Sequence, residues 1–150
     1  MPVPQELVGT TMPPTPAHDV SRSAIVAFAD AIGETAAEHR DPDAARGLGH
    51  PDVIAPPTYP IVVAFEAMTA LMRDTRLGIE LRNVVHGDQR FVIDRPVRSG
   101  DALTAALTIE SVRQIGGADI IGTRSEISTT DGEHVCTAYA TLAHRGGAPA

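Results

Sequence analysis

Lysine is absent from this chain, and all 12 basic residues are arginine. That excludes chemistry through a lysine Schiff base. Tryptophan is absent as well, and aromatic residues make up only 3%. A core therefore has to be assembled from Val, Ile, Leu, Ala and Met. The single cysteine, Cys136, can form neither an internal disulfide nor a zinc site of its own, which points to a reducing compartment and places Cys136 in the core. No two histidines and a carboxylate recur at metal-ligand spacing, so no metal is expected. Positive charge is outweighed, and the formal net charge of −7 disfavours nucleic acid as a partner. No apolar run reaches membrane-spanning length, and the opening residues MPVPQELVG lack a basic run followed by an apolar stretch. The expected setting is the cytoplasm.

What remains is ordinary globular composition: 150 residues, 43% of them hydrophobic. This fits one domain over residues 1–150 with one core, and disordered ends at 1–6 and 146–150. Prolines 2, 4, 13, 14 and 16 break the first twenty residues, leaving room for extended pieces at 7–11 and 18–20. Nothing nearby complements His18, which reads as a surface residue. Ser21 suits a helix N-cap, with Ser23 as a fallback. Ala24, Ile25, Phe28 and Ile32 then recur at helical spacing, and Gly33 is placed to end that helix.

Residues 31–59 follow, AIGETAAEHRDPDAARGLGHPDVIAPPTY. Glu34 and His39 lie just past the helix end, an acid and a base at close spacing. Asp41-Pro42 opens a short helix that Gly47 and Gly49 close, with Arg40, Asp41 and Asp43 capping and solvating it. His50 falls in a loop. Pro57 holds Pro56 extended. Thr58 is then placed to cap a helix over 59–73, with Pro60 in its first turn. Ile61, Phe65, Met68 and Met72 form one apolar stripe, and only Glu66, Thr69 and Arg73 are polar. A helix apolar nearly all round is buried.

After Gly78 the period changes to two. Segments 84–86 and 90–94 form a first strand, 103–110 a second, 119–129 a third and 135–144 a fourth. Gly116-Gly117 and Asp131-Gly132 are hairpin signals. His134 and His144 are expected on the exposed side of the last strand. The pattern is α+β: a meander of antiparallel strands, about five with an N-terminal one, curved around a single long buried helix. Such a sheet leaves an edge uncovered, so a dimer is expected.

The succession helix, G-E-x5-H-x-D, A-A-R-x-x-G, I-A-P-P-T-Y, buried helix and V-H-G-D-Q-R-F resembles the MaoC-like, hot-dog-fold hydratase and dehydratase family. It is most similar to the N-terminal-type MaoC domains, which include subunits of mycolic-acid-type 3-hydroxyacyl-acyl carrier protein dehydratase. The resemblance implies an (R)-specific enoyl-thioester hydratase or 3-hydroxyacyl-thioester dehydratase, acting on acyl-CoA or acyl carrier protein thioesters without a cofactor. The family motif G-D-x-N-P-x-H aligns on Gly33, so the resemblance implies that His39 moves the α-proton and Glu34 handles the hydroxyl or water. The motif's Asp, Asn and Pro are here Glu34, Ala36 and Ala37. Active members carry Ala-His-Gly before the buried helix, with the Gly amide as oxyanion donor. This chain has Ala55-Pro56-Pro57, and proline has no N–H. The resemblance thus places Ala55, Pro57 and Thr58 at the substrate, with the Thr58 amide as a substitute donor, and adds His86 and Gln89 from the H-G-D-Q-R-F segment.

Two further readings stand beside the hydratase. One is a non-catalytic partner in a heterodimer with a second hot-dog subunit, shaping its acyl-chain tunnel, which the two prolines favour. The other is a thioesterase, in which Glu34 would activate water against the thioester carbonyl.

Overall fold

A computed structural model describes residues 2–146. Helix α1 (Arg22–Ile32) begins where the Ser21 hydroxyl accepts the Ala24 N–H. It stops at Gly33, whose φ of 73° is left-handed and disfavours any residue with a Cβ. A 3₁₀ turn (Ala37–His39) and the short helix α2 (Pro42–Gly47) follow, the latter capped by Asp41. Helix α3 (Ile61–Met72) starts two residues later than the sequence suggests, and the Thr58 hydroxyl does not cap it. A tight turn supplies the partners instead. Tyr59 N–H donates to the Pro56 carbonyl, Ile61 N–H to Thr58 and Ala64 N–H to Pro60.

Five strands form one antiparallel sheet: β1 (His18–Asp19), β2 (Val84–Ile93), β3 (Ala102–Ile115), β4 (Ala118–Thr129) and β5 (His134–Arg145). Gly116 and Gly117 both take positive φ, 57° and 80°, which the tight β3–β4 hairpin needs. The order across the sheet is β1-β3-β4-β5-β2. This corrects the expected meander. β2 does not hairpin with β3 but crosses to the far edge and pairs with β5, from Val84 opposite His144 to Ile93 opposite Cys136. The connection holds Pro96 and is pinned at its end by Asp101, so no tight turn closes there.

The sheet curves over α3, as the hot-dog resemblance implies. Val63, Ala64, Ala67, Met68, Leu71 and Met72 are buried, and α3 packs on β3 and β4. Ala64 and Ala67 meet a sheet whose inner face is also small in places, at Ala105, Thr123, Ser125, Ala138 and Ala140, so helix and sheet approach closely. Phe65, expected in the buried stripe, is 54% exposed. With nearly every face of the helix apolar, spacing alone does not say which face turns to the sheet. Cys136 is buried as expected, and desolvation pushes its thiol up to about 11. Among the described residues no helix is long and apolar enough to cross a membrane.

Residues 2–6, expected to be disordered, are anchored. Val3 is buried, its N–H donates to Asp119, and the Gln5 amide donates to the Val112 carbonyl. Of the other expected loose end, 147–150 lies outside the described residues, as does residue 1. The segment expected as a strand at 7–11 is a 3₁₀ turn (Gln5–Leu7) and then a strap along β3, with Gly9 donating to Ile109 and Met12 to Leu107. His144, expected to be exposed, is 2% exposed. Its Nε2 accepts the Glu80 N–H and its Nδ1 lies 3.5 Å from Asp119.

His134 is only partly exposed and ties three strands together. Its Nδ1 lies 2.5 Å from Asp94, just past β2, and its Nε2 lies 2.7 Å from Glu126 on β4. Both partners are carboxylates, which accept only, so the ring is held as imidazolium with its pKa raised, chiefly by the Asp94 hydrogen bond. The stabilisation is fully present below the unfolded histidine value of 6.5 and is lost as pH rises through the raised folded value. Urea unfolding at about pH 6 and about pH 9 should therefore show His134→Asn costing more at the lower pH. An equal cost at both would mean that the ring is neutral in the folded protein.

Candidate functional site

The 34–40 loop leaves α1 at Gly33 and is bound down at several points. Glu34 Oε1 accepts the Ala36 N–H at 3.0 Å, and the Glu34 carbonyl accepts from Arg40 Nη2 at 2.6 Å. Arg40 also pairs with Asp30 of α1 at 2.7 Å, so it ties the loop rather than solvating α2 as expected. The Glu38 carbonyl accepts the Ile54 N–H, Ala55 N–H donates to Val97, and Ser99 N–H donates to Val53. The loop, the 53–55 link and residues 97–99 of the β2–β3 connection thus lie side by side.

His39 is 5% exposed. Its Nδ1 lies 2.7 Å from the Ile54 carbonyl, which can only accept. The Nδ1 nitrogen therefore carries a proton, and in the neutral ring Nε2 keeps the lone pair. Nε2 makes no hydrogen bond among the described residues. This is the tautomer of a base that is ready to accept a proton.

Glu34 and His39 line one cleft of about 400 Å³, together with Glu38 and Ala55. The opposite walls are Pro56, Pro57 and Pro60 ahead of α3, and Ile93, Pro96 and Val97 from the end of β2 and its connection. The surroundings are largely apolar, which strengthens electrostatic interactions inside. One Glu34 oxygen is used by the turn, which leaves the other available to a bound molecule.

The remaining residues that the resemblance nominated are scattered. Thr58 is exposed and off the cleft lining, because α3 begins at Ile61 rather than beside it. His86 and Gln89 lie on β2, bonded to each other at 3.0 Å. His86 lines a separate crevice of about 160 Å³ with Phe65, Met68 and Met72. Among the described residues that line the cleft at the helix wall, none has a free backbone amide: the prolines have no N–H, and that of Ala55 is spent on Val97.

Sequence reasoning missed Ile93, Pro96 and Val97, which reach the cleft only because β2 crosses the sheet. It also missed the partner of His18. The His18 Nε2 lies 2.8 Å from the Tyr59 hydroxyl, and Tyr59, whose pKa is pushed up by burial, stands edge-on to Phe28. That contact fixes the turn that carries the proline wall.

The chain was compared with known proteins. The family model described as "FAS1-like, dehydratase domain region" matches residues 6–138. A UPF0336 protein of Saccharopolyspora erythraea is 43% identical over 99% of this chain and 95% of its own length. One from Streptomyces coelicolor is 45% identical over 94% of each. Among solved structures, the C-terminally truncated HadBC (3R-hydroxyacyl-ACP dehydratase) complex from Mycobacterium tuberculosis contains a chain that is 34% identical. It superposes with a TM-score of 0.82, covering 91% of this chain and 96% of that one. A MaoC-like dehydratase superposes with a TM-score of 0.84 at 24% identity, covering 93% of this chain and 42% of that one.

Proposed function

Because the chain belongs to the FAS1-like dehydratase domain region family, a MaoC-like family with the hot-dog fold, we propose that it is a subunit of an (R)-specific 3-hydroxyacyl-thioester dehydratase, equally an enoyl-thioester hydratase. The substrate is an acyl chain on CoA or acyl carrier protein. The observation that carries the reading is the shared cleft of Glu34 and His39, with the His39 tautomer set by Ile54.

In the dehydration direction, His39 Nε2 removes the proton α to the thioester. Glu34, entering as the acid, gives its proton to the departing 3-hydroxyl, which leaves as water while the α–β double bond forms. In hydration the same groups run in reverse: Glu34 takes a proton from water as it adds at the β-carbon, and His39 returns one to the α-carbon. Nothing in this exchange of a water requires a cofactor.

A second reading is favoured by the proline wall, which offers no N–H to a developing enolate oxygen. In it, the chain is the partner of a catalytic hot-dog subunit and shapes the acyl tunnel. Association supports both readings, as a homodimer or as a heterodimer. β2 is an edge strand whose Val85, Val92 and Ile93 are 65%, 46% and 39% exposed, and Phe65 of α3 is exposed as well.

The test is hydration of crotonyl-CoA and of longer enoyl-CoAs, followed as loss of enoyl absorbance, with the purified chain and with the chain plus a second hot-dog subunit. Activity of the chain alone supports the first reading. Activity only in the pair, surviving loss of His39, supports the second. Release of free CoA without loss of the enoyl group would replace both with a thioesterase.

A further inference from the structure

We infer that Arg40 is the positioning residue of this cleft: its two-armed clamp supplies the stiffness that Ala36 and Ala37 do not. The inference deepens the reading of Glu34 and His39 as an acid–base pair, and rests on it. The loop between those residues is short and built of small side chains, with Ala36 half-buried and Ala37 exposed. Alanine leaves φ free, so the backbone alone does not fix where the Glu34 carboxylate lies relative to His39. His39 has its own anchor in the Ile54 carbonyl. The Glu34 backbone N–H donates to the Ala29 carbonyl of α1, but its carboxylate has only the Ala36 N–H two residues on, which belongs to the same loop and moves with it.

Arg40 supplies an external reference beyond that single backbone bond. One arm, Nη1, holds Asp30 on the rigid helix α1 at 2.7 Å, and the other, Nη2, holds the Glu34 carbonyl at 2.6 Å. The guanidinium thus adds a side-chain brace across the left-handed corner at Gly33, which the Gly33 and Glu34 N–H groups also close onto α1. The residue is itself fixed beside His39, its backbone N–H donating to the Ala37 carbonyl. Only a planar fork reaches both oxygens from one side chain, and a lysine ammonium makes one contact well. Arg40 is not among the residues lining the cleft, so its effect passes through Glu34.

The structure also provides an independent way to restore the lost stiffness. Ala36 has φ −59° and ψ 139°, the geometry a residue before proline adopts, and Ala37 opens the 3₁₀ turn with an N–H that bonds nothing among the described residues. Proline at 37 therefore fits the backbone as it stands.

The experiment uses the full chain, with its partner subunit where the pair is the active form. Arg40→Ala, Arg40→Lys and the double variant Arg40→Ala/Ala37→Pro are compared for thioester hydration and for amide hydrogen exchange at residues 35–39. Arg40→Ala should lower kcat roughly ten- to a hundredfold with KM nearly unchanged, and quicken loop exchange by about tenfold. Arg40→Lys should fall between, and the double variant should recover most of both losses. Unchanged loop exchange in Arg40→Ala would overturn the inference. So would quickened exchange that proline at 37 does not slow. If the unaltered protein turns over no enoyl thioester, the acid–base reading falls, yet the exchange data still decide whether Arg40 orders the loop.

Discussion

Exchange of His39 for alanine is expected to lower enoyl-thioester hydration on the order of a thousandfold. The size follows from the position of the ring. His39 is 5% exposed, its Nδ1–H is held by the Ile54 carbonyl, and its lone pair is left free in the cleft shared with Glu34. Alanine removes the group proposed to take the α-proton and leaves only the apolar walls and Glu34. The structural cost is small by comparison. One hydrogen bond to a carbonyl is lost, worth about 1 kcal/mol, which lowers Tm by a few degrees. His39→Asn separates the two effects, because its amide nitrogen stands close to where Nδ1 was and can still donate toward Ile54, but its side chain is no base. Both variants should therefore lose turnover while unfolding close to the parent. A variant retaining a tenth of the parent rate or more would remove His39 from the chemistry and move the proton transfer to a partner subunit.

Exchange of Asp101 for alanine is expected to destabilise the fold by about 3 kcal/mol, the cost of breaking a largely buried ion pair. The Asp101 side chain is 7% exposed. It accepts from both Arg95 terminal nitrogens at 3.0 Å and from the Arg98 N–H at 2.9 Å. The Asp101 carbonyl also accepts the Val20 N–H, which brings the start of α1 to this corner. Without the carboxylate, Arg95 is left 17% exposed with only Glu133 as a charged partner, and the Arg98 N–H loses its acceptor. At this chain length a loss of that size lowers Tm by roughly 10 °C, measurable by calorimetry. The Arg95 pKa, already raised by Asp101, says the same from the other side. Arg95→Ala should cost less, because Asp101 keeps the Arg98 amide. Equal costs would show that the pair acts only as a charge couple. Arg95 directly precedes Pro96 and Val97, so the cleft wall should loosen with the corner.

What was legible in the sequence was local. Helix α1 could be bounded to the residue because Ser21 and Gly33 act within a few positions of themselves. The hairpins at Gly116-Gly117 and Asp131-Gly132 are equally local. The place of β2 was not legible, since pairing with β5 rather than β3 depends on how the sheet closes over α3. His144 was misjudged for a related reason, as its hydrogen-bond donor, Glu80, lies 64 residues away in the chain. In α3 the period was right and Met68 and Met72 of the apolar stripe are buried, but Phe65 is exposed, because Phe65 and Ala64 look alike to a pattern of apolar residues. At the cleft, Glu34 and His39 stood out through the motif around them, whereas Arg40 carried no signal because its role is set by the bend at Gly33.

The crossing of β2 has a consequence for biosynthesis. The strand whose end carries Ile93 finds its hydrogen-bonding neighbour only in the chain's last strand, His134–Arg145. On the ribosome, some forty residues must still be added after β2 emerges before it can dock. Until then Val85 and Val92 face water along an unpaired edge, the state in which chains adhere to one another. Loss of even a few residues from the end of the final strand would leave Val84, Val85 and His86 of β2 without partners, so nonsense changes late in the reading frame should yield insoluble product rather than a weakened protein.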